Sequence, residues 1–527
     1  MKNKKQILLL VVLFLIICLF FRIDFRFKNT VECCSDDFDY FSHAQTIAID
    51  RDFDYSNQLP SNHSFIFEHN GKISPVGFPG SGMLAAPFLY LGDIIDKNLN
   101  PGDGNEILNY KLLLYSLSPI FYLFVGYILI FKSLVNMGFN VNKYKLMILV
   151  SGSGVTYFAF ERFSMTHSYE FFTISLLIYL SINFYTNGNN FSAFLIPVTI
   201  MFSLFVRMSN YYLFLLPAIV MLMIKEIEKV NFSLIKNRIF IVSTGFTIFI
   251  YNFLSTKIYG KLVVNPQEVY GTDITFNSVV SNNNTFIEFL TFNFTSIIKI
   301  LFGNEFGILW VSPIIFAGLV ISLLNLKNYR NIGNILLLIC FGQTFAILLI
   351  WKSTGASYGF RYLYSLAPIC LIVFYYYKNF YNYKLFFEFI FYMSIFANLS
   401  ILFFETTEQT QLSMSEIENS FGALRQYSEP EYVTGLLKSF LDMNSYLIIF
   451  TTSLIGVTFF KLLLLLFDAT QIINFLTTLG LPTENEDFIL YLENLNIISA
   501  YKILLIILFI FSFCFYFVFR MDRTQNN

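Results

Sequence analysis

Charge is what this sequence has least of. Asp, Glu, Lys and Arg together make 13% of its 527 residues, against about 25% in an ordinary soluble domain. The 34 basic and 35 acidic side chains nearly cancel, leaving a net charge of −1. A nucleic-acid binder needs a basic surface to displace counterions, so no nucleic-acid partner is expected. Cysteine is sparse too. Of six, Cys18, Cys340, Cys370 and Cys514 sit in apolar runs, and only Cys33 and Cys34 lie in a polar loop. Neither a disulfide framework nor zinc-type CxxC spacing is present. The chain has no P-loop and no GxGxxG in a strand–helix context. It shows no internal repeat, and it lacks the paired Gly/Pro-broken helices of many secondary transporters.

What is present is hydrophobic length. Apolar residues make 56% of the chain, with 66 Phe and 33 Tyr. That excludes a soluble globular protein, a disordered chain and a coiled coil, and leaves a polytopic membrane protein. Lys2, Lys4 and Lys5 precede an apolar run from Ile7 to Phe21, which ends in Phe20-Phe21-Arg22 without a small-residue cleavage site. The run is expected to stay as a first transmembrane helix with its N-terminus in the cytoplasm. A polar stretch follows, residues 22–110, too long for a plain connector. Further runs lie near 112–131, 146–160, 171–187, 191–206, 211–224, 239–256, 306–325, 333–351, 364–377, 385–404, 445–466 and 503–519. The expected fold class is an all-α polytopic membrane protein of about 11–13 transmembrane helices, with a long outer-loop subdomain after helix 1.

Alternation of sides groups Lys132, Lys143 and Lys145 with Lys225, Lys229, Lys236 and Arg238, then Lys327 and Arg330, then Lys378 and Lys384. This steady basic bias marks the cytoplasmic face. The other face receives the long first loop, then Glu161, Arg162 and His167, then Arg207, Glu305, Lys352 and Arg361. Charge at membrane depth is costly and by default marks function. Acids and bases from distant segments gather on one face, rather than in rings along a pore or at the midplane. That pattern fits a reaction at the membrane–water boundary.

The densest signal is Ser35-Asp36-Asp37-Phe38-Asp39-Tyr40-Phe41-Ser42-His43-Ala44. Ser35 suits a helix N-cap, which puts Asp36 and Asp37 in a first turn where the dipole favours carboxylates. Acids at a helix start are commonly structural. A carboxylate there can also act as a general base on an alcohol, or ligate a hard divalent cation. On a helix Asp36, Asp39 and His43 share one face, so a divalent cation stays open as a cofactor.

This cluster, just after the first membrane helix, resembles the GT-C superfamily of membrane glycosyltransferases, of the protein O-mannosyltransferase and aminoarabinose-transferase type. Other stretches are similar to that family's motifs. They are Gly71-Lys72-Ile73-Ser74-Pro75-Val76-Gly77-Phe78-Pro79-Gly80 running into Ala85-Ala86-Pro87-Phe88, and Ser164-Met165-Thr166-His167-Ser168-Tyr169. Arg207-Met208-Ser209-Asn210 looks like an Arg-Pro-x-Asn turn with Met208 in place of proline. Phe302-Gly303-Asn304-Glu305-Phe306-Gly307-Ile308-Leu309, then Ser312-Pro313, is also similar, with Glu305 and Phe306 where basic residues are frequent. Ser357-Tyr358-Gly359-Phe360-Arg361-Tyr362-Leu363, then Pro368, completes the series. The resemblance spans residues 1–380 and implies a transmembrane catalytic module. Residues 381–527, with an outer loop over 405–446, form a C-terminal transmembrane region without a family match.

The resemblance implies transfer of a sugar from a polyprenyl-phosphate carrier to an acceptor glycan, lipid or protein. It implies a multi-pass protein of a bacterial cytoplasmic (inner) membrane, with the site facing outward and membrane lipid around it. Asp36 matches the position of the catalytic base, with Asp37 beside it. Arg361 is the expected main ligand of the donor phosphate, since a fixed guanidinium best meets charge developing on a leaving phosphate. Arg207 and Lys352 are further phosphate candidates. His167, Asp39, Tyr40 and Tyr358 are candidates for substrate contacts. The segments 257–299 and 405–446 are candidates for shaping the acceptor side. A transporter or flippase of lipid-linked sugars, and a polysaccharide polymerase or ligase, are the alternatives.

Overall fold

The computed structural model describes residues 35–59, 66–99, 110–160, 162–227, 230, 232–270, 297–303, 307–325, 332–351, 359–380, 383–403, 459–460, 463–464, 467–478 and 492. The expected first helix over 7–21, the outer loop 405–446 and the runs over 445–466 and 503–519 lie wholly or mostly outside them.

Among the described residues the fold is helical apart from one hairpin. The first loop holds α1 (Ser35–Gln45), the strands β1 (Ile66–His69) and β2 (Lys72–Pro75), and α2 (Gly80–Leu99). Then come α3 (Tyr110–Asn136), α4 (Lys143–Ser151), α5 (Val155–Phe160), α6 (His167–Asn187), α7 (Asn190–Val206) and α8 (Leu216–Ile227). After these follow α9 (Arg238–Tyr259), α10 (Gln267–Tyr270), α11 (Ile308–Val311), α12 (Pro313–Leu324), α13 (Ile332–Trp351), α14 (Ala367–Phe380), α15 (Lys384–Phe403) and α16 (Ala469–Thr478). Among the described residues three stretches are long and apolar enough to cross a membrane: α3, α9 and Lys384–Ile401 of α15. The helix α6 is central, packing on α3, α7 and α8, while α12 packs on α14.

Two sequence expectations change in detail. The run over 146–160 is two short helices, because Gly152-Ser153-Gly154 breaks it. Ser153 carries its carbonyl to the Ser312 hydroxyl at 2.7 Å. The first loop contains a 20-residue helix, α2, that its Gly and Pro content concealed. Gly82 on α2 permits close approach to α1: a Cβ there would stand 2.5 Å from the His43 Cβ. The β1–β2 hairpin turns on Asn70 (φ 52°) and Gly71 (φ 71°), a two-residue Asn-Gly turn with both residues left-handed.

The helices share polarity at their ends. Asn142, Asn189 and Asn237 cap α4, α7 and α9 by accepting backbone N–H bonds, satisfying donors left orphaned at helix starts. Asn237 also donates to Asn190 at 3.1 Å, and the Lys145 ammonium lies 5.0 Å from the Phe391 ring. The turns at 162–166, 207–210 and 359–361 carry the arginines that pair with carboxylates, Arg162, Arg207 and Arg361.

Candidate functional site

The first turn of α1 divides two neighbouring acids. Successive residues on a helix point about 100° apart, so Asp36 and Asp37 meet different surroundings. Asp37 turns inward and accepts from Arg162 at 3.1 Å, with both side chains 3% exposed. Asp36 keeps 39% of its side chain exposed and accepts from Arg361 at 3.3 Å. Two residues separated by 325 positions thus form one ion pair. Asp37 is thus a buried partner of Arg162.

Arg361 opens a 3₁₀ turn, Arg361–Leu366, that leads into α14. Gly359 sets its approach with φ 64°, and a Cβ there would collide with the Tyr364 hydroxyl. Arg207 ends α7 and pairs with the buried Glu170 at 3.3 Å. Glu170 also accepts from His167 Nδ1 at 3.0 Å and from Asn210 Nδ2 at 2.6 Å. Both guanidinium groups lie within cation–π range of Tyr362, at 5.0 Å for Arg207 and 5.6 Å for Arg361. Tyr40 is buried beside them, close enough to Tyr270, Asp36, Arg207 and Arg361 for their charges to bear on it. Burial pushes the Tyr40 phenol well above its ordinary range, so it serves as a neutral O–H group. The cluster therefore sets two guanidiniums against two carboxylates around aromatic rings, with Asp36 the exposed member.

Asp39 is buried and accepts from the Gly77 N–H at 3.0 Å. The Gly77 carbonyl accepts from His43 Nε2 at 2.8 Å and from the Tyr259 hydroxyl at 3.3 Å. Gly77 thus ties α1, the hairpin and α9 together. Because a carbonyl only accepts, Nε2 carries the His43 proton, and Nδ1 accepts from the Tyr55 hydroxyl at 2.7 Å. Both ring nitrogens are committed, so Asp36, Asp39 and His43 do not form a cation site. Among the described residues no three His, Cys, Asp or Glu side chains come together for a metal.

Burial lowers His43 to about 4. The unfolded chain takes this proton near pH 6.5, so the unfolded state gains protons first as pH falls. Stability from the neutral ring is complete above about pH 6.5, declines to about pH 4, and is then flat, a loss of about 3 kcal/mol at most. Thermal unfolding in detergent micelles across that window should show a shallower pH slope for His43→Gln than for the native chain. Equal slopes would remove His43 as the source.

The structure brings Asp36, Arg361, Arg207, Tyr40 and Glu170 together. It sets His167 behind Glu170, buried and bonded to it. Asp39 likewise supports the Gly77 backbone. Glu161, Glu305, Lys352, Tyr358 and residues 271–296 lie outside the described residues. Sequence reading assigned no role to Tyr362 or Gln343. Gln343, on α13, accepts from Tyr212 N at 2.7 Å and donates to the Ser209 carbonyl, clamping the Arg207 turn. A glutamine inside an apolar run was the signal for it. No known protein family, curated protein or solved structure matches the chain.

Proposed function

We propose that this chain is a multi-pass membrane glycosyltransferase that moves a sugar from a polyprenyl-phosphate carrier to an acceptor hydroxyl on the outer face of the membrane. The observation that supports it most is the Asp36–Arg361 pair. A carboxylate that can take a proton and a guanidinium that can hold a phosphate share one partly exposed spot at the end of the helices. The motif resemblance and the apolar helices support a lipid-carried donor. The apolar runs support about 11–13 crossings, and the basic bias supports the outward orientation of the site.

Chemistry follows from the pairing. Arg361 holds Asp36 at 3.3 Å. A donor phosphate competes for the same guanidinium and is also within reach of the positive field of Arg207. When Arg361 turns to the phosphate, Asp36 is released and can accept the acceptor proton. The acceptor oxygen bonds to the sugar anomeric carbon, and the carbon–oxygen bond to phosphate breaks. Arg361 and Arg207 stabilise the charge left on the polyprenyl phosphate. Glu170 keeps Arg207 in place while remaining bonded to His167 and Asn210.

The test is turnover by the purified chain in lipid nanodiscs, with a panel of polyprenyl-phosphate sugars and candidate acceptors. One donor should be cleaved to free polyprenyl phosphate. Arg361→Ala should lower the rate by about 10²–10³-fold, the usual effect of losing a donor to developing charge. Cleavage undiminished in Arg361→Ala would remove its phosphate role. Movement of an intact donor across the bilayer would establish a transporter instead.

A further inference from the structure

The outer end of α9 carries a second polar feature, apart from Asp36, Arg207 and Arg361. Only 17% of the apolar window of α9 is buried. Ile241, Val242, Phe246, Ile248 and Phe249 are each more than half exposed. So wide an apolar surface is far beyond what a water-facing helix tolerates. At its C-terminal end this surface meets a cavity of about 410 Å³ between α9 and the hairpin turn, lined by Asn70, Lys72, Phe249, Asn252, Phe253 and Lys257 among others. That volume falls in the range of small-molecule sites, about 300–1,000 Å³.

The hairpin register decides which charges reach the cavity. His69 pairs with Lys72 and Phe67 with Ser74, so these four share one hairpin face. Phe67 sets that face on α9, with its ring 6.0 Å from Tyr259. Glu68 and Ile73 take the opposite face. The cation is thus turned to α9 and the acid away from it. Lys72 Nζ donates to the Lys257 carbonyl at 2.8 Å, which leaves two of its three donor hydrogens for another partner. Lys257 Nζ stands 5.7 Å from the Phe253 ring. The carbonyl end of a helix repels anions, and Lys72 covers one of those carbonyls while adding its own charge. Among the described residues neither lysine forms an ion pair with a carboxylate, whereas nearby Lys261 is matched by Glu268 at 3.2 Å. Two ammonium groups and two asparagine amides stand at the boundary where an apolar helix surface ends.

We propose that this cavity binds the headgroup of an anionic membrane glycerophospholipid. Lys72 and Lys257 meet the phosphate, Asn70 and Asn252 bond its oxygens or the glycerol, and Phe249 and Phe253, one helical turn apart, lie along the acyl chains. The proposal rests on the reading of α9 as a lipid-facing membrane helix. Through Tyr259 and the Gly77 carbonyl, a lipid held here braces the segment that carries α1.

The test uses the full chain in nanodiscs, released for native mass spectrometry, with phosphatidylglycerol and phosphatidylcholine as probes. Phosphatidylglycerol should be retained in preference to phosphatidylcholine. Lys72→Gln and Lys257→Gln should each lower that retention about fivefold, in keeping with one basic residue at a lipid surface. Lys261→Gln, already neutralised by Glu268, should leave it unchanged. Equal retention of both lipids, or an equal loss in Lys261→Gln, would overturn the site. Displacement by excess inorganic phosphate would reassign it to a soluble anion, and displacement by stoichiometric polyprenyl phosphate would reassign it to the sugar carrier. Reconstitution separates the two levels of failure. A chain that does not insert into nanodiscs overturns the membrane reading, while one that inserts without lipid preference overturns only the site.

Discussion

Asp36→Asn is expected to slow sugar transfer by about 10²–10⁴-fold, the contribution of a general base. Asparagine keeps the size of the side chain and removes the basic oxygen. It also removes the charge that holds Arg361 at 3.3 Å. Arg361 is then freer to meet the donor phosphate, so donor KM should hold or fall while kcat collapses. That split separates a proton acceptor from a binding group. A raised donor KM with kcat intact would make Asp36 a donor contact and take away its basic role. Asp37→Asn is the internal contrast, since Asp37 faces Arg162 inside the protein and should act on stability.

Arg162→Ala is expected to be the most damaging single change for folding. It leaves the Asp37 carboxylate buried without the guanidinium 3.1 Å away. Breaking such a pair costs about 3–5 kcal/mol, a large part of the typical net stability of about 5–15 kcal/mol. The pair joins the first turn of α1 to the segment before α6, so its loss also loosens the turn that carries Asp36. Replacing both partners by apolar residues of similar volume, Asp37→Leu with Arg162→Met, should recover much of the loss, because desolvation of the two ions then disappears. Melting temperature in detergent and yield of folded protein measure both. A melting temperature unchanged in Arg162→Ala would show that the pair contributes nothing net.

Much of the architecture was readable one residue at a time. Apolar runs such as 171–187, 191–206 and 239–256 correspond closely to α6, α7 and α9, because a buried backbone must bond within its own segment and only a helix does so locally. The hairpin was overlooked, although His69-Asn70-Gly71-Lys72 carries the Asn-Gly signal of a two-residue turn. Its strands are four residues each, too short for alternation to stand out.

Composition and run length alone determined that this chain is helical and apolar, and they marked a set of charges beside apolar runs as costly; the motif resemblance is what singled out Asp36, Arg207 and Arg361 among them. Which charge meets which partner was decided only by tertiary structure. Asp36 and Asp37 are adjacent and chemically identical, yet the helix aims one at Arg361 and the other at Arg162. Glu170 could have met Arg162, and the packing of α6 against the end of α7 gave it Arg207 instead. Ion pairs act over a few ångströms in space, whereas the members of the Arg207–Glu170, Arg162–Asp37 and Arg361–Asp36 pairs lie 37 to 325 positions apart along the chain, and no local pattern encodes that distance.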